Sequence, residues 1–374
     1  MATLHSSARP AGPVVIYPAR KNVPSHERAV HHALATRIAA LHGRQFGGIH
    51  DGAAASADTY YIPTGTIVGV DMARGIGIET EDDLFGAVVP HAFIATKAIS
   101  HPLVRHDAAA PEGWSKAFSE AVRDATLRGL TAFTMVDARE AGRRLLEAGP
   151  IRIKPVLATG GRGQTVVQSA DELDTALQDL ASDELTSCGV VLEENLDQVV
   201  TYSVGQVRVA GLVASYWGTQ RLTPDNAGEA VYGGSDLCVV RGGFDALLAL
   251  ELDPPVRKAV EQGRIFDNAA SLHYAGLLAS RRNYDIAQGI DPQGQPRSGV
   301  LEQSWRIGGA SGAEVVALES FAADPALNVV RASTVELYGP AQHAPEGACV
   351  TFRGVDEDVG FITKFVMAGR YGNT

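Results

Sequence analysis

A mixed α/β fold of more than one domain is what this sequence predicts. Short apolar strand-like runs alternate with amphipathic helical stretches, and residues 151–168 carry a lysine-bearing strand into a glycine loop and a second strand. With 374 residues, 45% of them hydrophobic, the chain is long enough for two or three domains with real cores. At 20% charged residues, disorder is not the expected state.

The elements follow in order. Pro13–Tyr17 is a strand, a polar turn follows, and Ser25 to His42 has helical spacing with His31 and His32 as surface or packing residues, not ligands. Further strands are expected at Tyr60–Ile62, Thr66–Val70 and Ala87–Val89, which makes residues 1–125 a three-layer α/β domain. Gly129–Val136 reads as a strand, and Asp137 with Glu140 has capping-box spacing ahead of a helix that stops at Gly149. After the glycine loop, Ser169 and Glu172 cap a helix carrying Leu173, Ala176, Leu177 and Leu180. Gly189–Leu196 is a buried strand ending in acids, and Val199–Val213 reads as two strands joined around Gly205. Asp253–Ser280 is helical. Asn283–Ile290 and Ser298–Ser304 form a hairpin around the turn Asp291-Pro-Gln-Gly-Gln. Tyr216 to Ser235, with Trp217, Tyr232 and a Gly233-Gly234 turn, reads as a loop over an acceptor site or as core aromatics, and 310–374 as alternating strands.

Composition excludes several function classes. Lys plus Arg total 32 against 43 Asp plus Glu, a formal charge of −11 with no dense basic run, which disfavours nucleic acid and anionic membranes as partners. No apolar stretch approaches the ~20 residues of a membrane span, and Met1–Gly12 has no secretory pattern. A cytoplasmic protein is expected. Cys188, Cys238 and Cys349 are too far apart for zinc or redox work and are expected as buried thiols. P-loop, H-E-x-x-H and G-x-S-x-G motifs are absent from the sequence.

Chemistry concentrates in three places. A buried ammonium at Lys154 needs an anionic partner, and the loop Thr159-Gly160-Gly161-Arg162-Gly163 frees backbone N–H groups to approach phosphate oxygens; an ordinary tight turn is the plain alternative. The late hairpin brings Asp285 opposite Glu302, a pair suited to a divalent cation that also takes phosphate oxygens, or to ion pairs with Arg281, Arg282 or Arg306. Glu193-Glu194-Asn195-Leu196 ends an apolar strand, where it meets either a ligand edge or solvent.

Lysine strand, glycine loop, helix, apolar strand ending in acids and a late acidic hairpin before Arg306, Gly308 and Gly309 together resemble the ATP-grasp superfamily, in an unusual ligase-like branch. The resemblance is clearest over 129–309. It implies an ATP-grasp fold: the N-terminal domain 1–125, a lid subdomain 126–205 with the glycine hairpin, and a C-terminal subdomain 206–374 with the metal hairpin, the last two enclosing the nucleotide. It also implies ATP and Mg2+ as cofactors. Lys154 and Lys97 would meet the phosphates, and Gly160, Gly161, Gly163 and Gln164 would cover them. Glu193, Glu194 and Leu196 would lie at the adenine and ribose edge, and Asp285, Glu302 and Ser304 would be metal ligands. Arg306 would face the transferring phosphoryl group, with Arg282 a clamp on a substrate carboxylate. Ser304 departs from the family's asparagine at that position. The implied activity is ligation of a small-molecule carboxylate to a nucleophile through an acyl phosphate; a small-molecule kinase and a non-catalytic ATP-binding module are the alternatives. A homodimer is the default assembly.

Overall fold

The computed structural model describes residues 12–20, 22–52, 58–157, 163–180 and 182–370. Near the N-terminus, β1 (Val14–Tyr17), α1 (Ser25–Leu41), β2 (Phe46–Ile49) and β3 (Tyr60–Pro63) build a parallel sheet in the order β2-β1-β3. One face packs Val14, Ile16 and Tyr60 against Leu34, Ala35 and Ile38 of α1. The other packs Val15 and Tyr61 against β4 (Ile67–Val68), α2 (Val70–Gly75) and β5 (Ala87–Val89). The strand expected over 66–70 stops at Val68 because Gly69, at φ +105°, turns the chain into α2. A 3-10 turn at Lys97–Ser100 and α3 (Lys116–Ala121) complete this part.

Next come β6 (Gly129–Ala132), α4 (Met135–Leu146), β7 (Ile151–Pro155), β8 (Thr165–Val167), α5 (Ala170–Gln178), α6 (Ser182–Cys188) and β9 (Val190–Glu194). Their strands form an antiparallel sheet in the order β6-β9-β7-β8. Ser169 caps α5 as its spacing indicates, its hydroxyl accepting from the Glu172 N–H. Helix α4 begins earlier than the sequence reading placed it: Thr134 is the N-cap and accepts from the Asp137 N–H at 3.1 Å, so Asp137 lies inside the first turn. Ile151, Ile153, Val190 and Leu192 pack under Ala138, Ala141, Leu145, Leu173 and Leu177 of the two helices.

The remainder is dominated by an eight-stranded sheet made of β10 (Asp197–Val209), β11 (Leu212–Pro224), β12 (Ala230–Arg241), β14 (Arg281–Ile290), β15 (Pro296–Ser304), β16 (Val329–Tyr338), β17 (Cys349–Asp356) and β18 (Gly360–Arg370). Its order is β15-β14-β10-β11-β12-β16-β18-β17. Helices α7 (Phe244–Leu248) and α8 (Pro254–His273) lie against one face, and α9 (Ser311–Ala323) lies against the other. The two-residue β13 (Leu278–Ala279) joins β5 and so ties this sheet to the N-terminal part.

Four expectations change here. The region 310–374 is not all strand: α9 was hidden because Ala313, Val315, Ala317, Leu318 and Phe321 are all buried, which leaves no polar stripe to reveal a helical period. Residues 216–235 are not a loop but the long pair β11 and β12, with Tyr216 fully buried. The chain reverses at Ala210-Gly211, not at Gly205. Cys188 and Cys238 are buried but Cys349 is exposed.

Gly205 sits within β10 between Tyr216 and Asn283. A Cβ there would stand 2.3 Å from the Tyr216 hydroxyl oxygen and 2.4 Å from the Arg282 carbonyl oxygen. Glycine therefore lets the Tyr216 ring lie across the strand. Gly205→Ala is expected to cost about 1–3 kcal/mol, read as a lower urea midpoint at unchanged slope; an unaltered midpoint would show that the strands spread without penalty.

Candidate active site

On the smaller antiparallel sheet, strand alternation places Arg152 and Lys154 of β7 on the same face as Val191 and Glu193 of β9. Lys154 is 3% exposed and its Nζ is ion-paired to Glu193, which is 2% exposed. The second carboxylate oxygen of Glu193 lies 2.8 Å from His101 Nε2. Burial pushes the Glu193 carboxyl up, but Lys154 and His101 outweigh it and hold the group below its ordinary range. Gly129 makes room for the imidazole, since a Cβ there would lie 2.7 Å from the His101 ring. The buried anionic partner that Lys154 requires is thus supplied by the protein itself.

The acidic hairpin approaches from the other side. Asp285 of β14 and Glu302 of β15 are directly opposite in register. Glu302 Oε2 lies 2.9 Å from Nζ of Lys97, which is 5% exposed. Lys97 opens the 3-10 turn at 97–100 and His101 follows that turn immediately, so one short segment contacts both acidic groups. The turn is fastened by Thr131, whose hydroxyl donates to the Ala98 carbonyl at 2.7 Å, and by Gln303, whose amide donates to the Ile94 and Thr96 carbonyls.

Asp285 accepts from the Ser203 hydroxyl at 3.0 Å and from Asn283 Nδ2 at 3.2 Å. Burial first, and the Glu302 charge second, raise its pKa to about 6 against the pull of those hydrogen bonds. Asn283 Oδ1 faces the Tyr216 hydroxyl, which also reaches Glu314 at 2.6 Å. Arg281 and Glu314 form a fully buried ion pair at 2.8 Å beside them. Arg281 Nη1 further donates to the carbonyls of Ser304 at 2.8 Å and Arg306 at 2.6 Å, which fixes the bend after β15.

The other expected residues are placed as follows. Alternation on β14 puts Arg282 on the opposite face from Asp285, where Glu81 and, at 3.5 Å, Asp267 hold it; it does not meet the acidic pair. Glu194 accepts from the Arg128 N–H at 2.8 Å and from Arg297 Nε at 3.2 Å, a tie between sheets. Leu196 packs with Leu127 and Ala287. Ser304 Oγ has Arg281 Nη1 at 3.5 Å as its neighbour. Arg306 donates to the Ile307 carbonyl at 2.9 Å. Gln164 Oε1 is 3.4 Å from Arg152 Nη1, and Gly163 has φ +67°. Gly160 and Gly161 lie outside the described residues. Sequence reasoning passed over His101, Asn283 and Ser203; only the register of β10 against β14 reveals the last two.

Among the described residues no group of three or more His, Cys, Asp or Glu side chains is arranged to hold a metal ion by itself. Asp285 and Glu302 offer carboxylate oxygens side by side, and the raised Asp285 pKa marks a place where added positive charge is favourable. That donor set fits a hard cation completed by oxygens of a bound phosphate, the habit of Mg2+. Ser304, beside a guanidinium, is the weakest of the three expected ligands.

Lysine strand, acid-ended strand and late acidic hairpin are thus assembled around one turn, within a mixed α/β fold of several sheets. It belongs to the family described as protein of unknown function (DUF3182), whose model matches residues 14–366. No curated protein matches the sequence. Similar solved structures include N5-carboxyaminoimidazole synthetase from Staphylococcus aureus complexed with ADP, at 9% identity and TM-score 0.49 over 96% of this chain and 94% of that one. Phosphoribosylamine–glycine ligase from Thermotoga maritima is similar at 17% identity and TM-score 0.49, over 96% and 92% of the two chains. A biotin carboxylase–β-γ-ATP complex from Campylobacter jejuni has 12% identity and TM-score 0.49, over 95% and 87%. Among the described residues no helix is long and apolar enough to cross a membrane.

The Asp285 environment makes a testable demand. A carboxyl group whose folded pKa, about 6, exceeds its unfolded value loses stability as pH rises between the two. Asp285→Asn is therefore expected to stabilise the ligand-free protein by about 2 kcal/mol at pH 7, allowing for partial exposure, and by little at pH 4. Urea unfolding at both pH values checks this, and a variant without pH-dependent gain would contradict the strained carboxylate.

Proposed function

We propose that this DUF3182 member is an ATP-dependent ligase. It would join a small-molecule carboxylate to an amine or similar nucleophile, releasing ADP and phosphate. The observation that carries this reading is the assembly around residues 97–101, where Lys97 holds Glu302 beside Asp285 while His101 shares Glu193 with Lys154. Two buried lysines and an acidic pair, brought together from a 3-10 turn and two sheets, suit phosphoryl transfer to a carboxylate, which calls for positioning and charge neutralisation with little covalent work for the protein.

The substrate carboxylate oxygen would attack the γ-phosphorus, and the bond to ADP would break, leaving an acyl phosphate. The nucleophile would then add at the acyl carbon, lose its proton and expel phosphate. Asp285 and Glu302 would hold Mg2+, which when bound would supply positive charge to the phosphoryl group. Lys154 would neutralise phosphate charge by exchanging Glu193 for a phosphate oxygen. His101 makes that exchange feasible, because Glu193 keeps a hydrogen-bonded partner when the lysine leaves. Lys97 keeps Glu302 oriented, and Arg306, four residues along the chain, would face the transferring phosphoryl group. Arg282, held by Glu81 and Asp267 on the far face, has no part in this scheme.

Incubation with Mg-ATP and pooled acids and amines, followed by ADP, phosphate and mass detection, tests the reading. Phosphate release that requires both an acid and an amine, with a product lighter than their sum by one water, is expected; phosphate retained on an alcohol would replace ligase by kinase. Glu302→Ala should lower turnover at least about 100-fold, a loss on the scale of removing one strong electrostatic contact at the reacting group. Lys154→Met should weaken nucleotide binding about tenfold, measured by calorimetry, and unaltered affinity would place that lysine outside the nucleotide site.

A further inference from the structure

On the face of the large sheet that carries Asp285, a row of polar side chains runs outward from the acidic pair, and one atom in it is left unanswered. Ser203 on β10 lies opposite Asp285, and two residues beyond its partner on β11 comes Gln220, itself opposite Ser235 on β12, so all four share that face. Ser203 is 2% exposed, whereas Gln220 is open to solvent. Ser235 is turned to the Tyr232 hydroxyl at 2.7 Å, and its N–H donates to Thr334 Oγ1 at 3.1 Å. The Tyr232 ring lies against Gly309, where a Cβ would stand 2.5 Å from its hydroxyl oxygen. Arg221 belongs to the opposite face, paired with Asp236. That leaves Gln220, whose orientation follows from its neighbours. An ionised carboxylate only accepts, so the single Ser203 hydroxyl proton goes to Asp285 Oδ1, 3.0 Å away, and the Ser203 oxygen accepts from its other neighbour. That neighbour is Gln220 Nε2 at 3.3 Å. With its nitrogen committed inward, Gln220 presents Oε1 at the other end of the amide, and this oxygen makes no hydrogen bond among the described residues.

We propose that Gln220 orients an amine as the nucleophile of the reaction, its Oε1 accepting one N–H of that amine while its nitrogen, through Ser203, steadies Asp285. An exposed carbonyl oxygen two hydrogen bonds away from a carboxylate pair is a place for a donor. An amine or its ammonium form gains a bond there and meets negative charge, whereas a thiolate, carboxylate or phosphate would meet only lone pairs and acids. Ser235, directly opposite, is engaged with Tyr232 and does not take the place of that donor. The row has a second consequence. Its bonds run in one direction, Gln220 to Ser203 to Asp285, and each polarises the next, so loss of either neutral member loosens a carboxylate that is to hold a cation. Gln220 is in this view a positioning residue that acts at both of its ends, on the nucleophile and on the acidic pair.

The role given to Gln220 rests on the ligase reading. The test titrates Mn2+ into the full chain with AMP-PNP present, followed by electron paramagnetic resonance. It then records the paramagnetic relaxation of the methyl protons of methylammonium, and separately of tetramethylammonium, added to that complex. Ser203→Ala and Gln220→Met are each expected to weaken Mn2+ binding about tenfold, and Ser203→Thr, which keeps the hydroxyl, to stay within about threefold of the parent. At matched Mn2+ occupancy, methylammonium should relax about threefold faster with the parent than with Gln220→Met, the worth of one hydrogen bond. Tetramethylammonium, of equal charge but without an N–H, should show no such difference. Ligand-free thermal unfolding verifies that each variant is folded. Unchanged Mn2+ affinity in both Ser203→Ala and Gln220→Met, or equal methylammonium relaxation in the parent and Gln220→Met, would overturn the inference while Mn-AMP-PNP binding, and with it the ligase reading, stands. A parent that binds no Mn-AMP-PNP would sink the ligase reading and the inference together.

Discussion

Buried charge has to be answered by buried charge, and in this protein one short turn answers it twice. Lys97 and His101 bracket the 3-10 turn at 97–100, one reaching Glu302 and the other Glu193. Removing one member of such a pair leaves an uncompensated ion in a low-dielectric place, at a cost of about 3–5 kcal/mol. The distance between the Lys154 strand and the acidic hairpin is therefore set by side-chain chemistry as much as by backbone hydrogen bonds. Small residues at the contact make this possible: Gly129 admits the His101 ring, and Thr131 holds the turn by its hydroxyl.

The large sheet contributes a different constraint, strict alternation across its faces. Arg281, Asn283 and Asp285 project to the α9 side, whereas Arg282 and Tyr284 project toward α8 and meet Asp267 there. Sequence neighbours thus have unrelated roles. On the α9 side, Arg281, Glu314, Tyr216 and Asn283 form a buried polar network that ends at Asp285. Tyr216 has one hydroxyl proton and two acceptors, Asn283 and Glu314, so the network has slack at that point and the Asn283 carbonyl oxygen is not permanently committed. Such a network specifies one arrangement of α9 on the sheet only when each member is satisfied, which explains why so many polar atoms converge on a face otherwise lined by Val207, Ala214, Leu237 and Val239.

What the sequence disclosed follows the same physics. The β14–β15 hairpin was legible because Asp291 organises its turn, accepting from the Gln293 and Gln295 N–H groups. Lys154 was legible as a buried cation needing an anion, although Glu193, not a ligand, fills that need in the structure described. Helix α9 was not legible, since its apolar residues spread around the whole circumference and Glu314 is itself buried, which leaves no period to detect. Gly205 misled for an opposite reason: glycine marks turns, but here it marks a close approach of Tyr216. His101 gave no signal at all, because its meaning lies in the neighbours that the fold assembles around it. The split between Arg281 and Arg282 depended on register, which a single sequence does not contain.

The charge balance of the site bears on how a nucleotide would enter. Lys154 and Lys97 are each held by a glutamate, and Asp285 adds a carboxylate whose ionisation is resisted by burial and by Glu302. Neither lysine of the ligand-free site is at liberty to meet a polyanion. In the proposed reaction the compensating charge must therefore come from two sources, a divalent cation arriving with the nucleotide and the release of Lys154 from Glu193. A metal alone would meet Glu302 already paired with Lys97. A nucleotide alone would meet lysines already taken. In the proposed scheme each ligand would remove the obstacle to the other, and binding of the two would be coupled through Glu193 and Asp285, groups that lie on different strands.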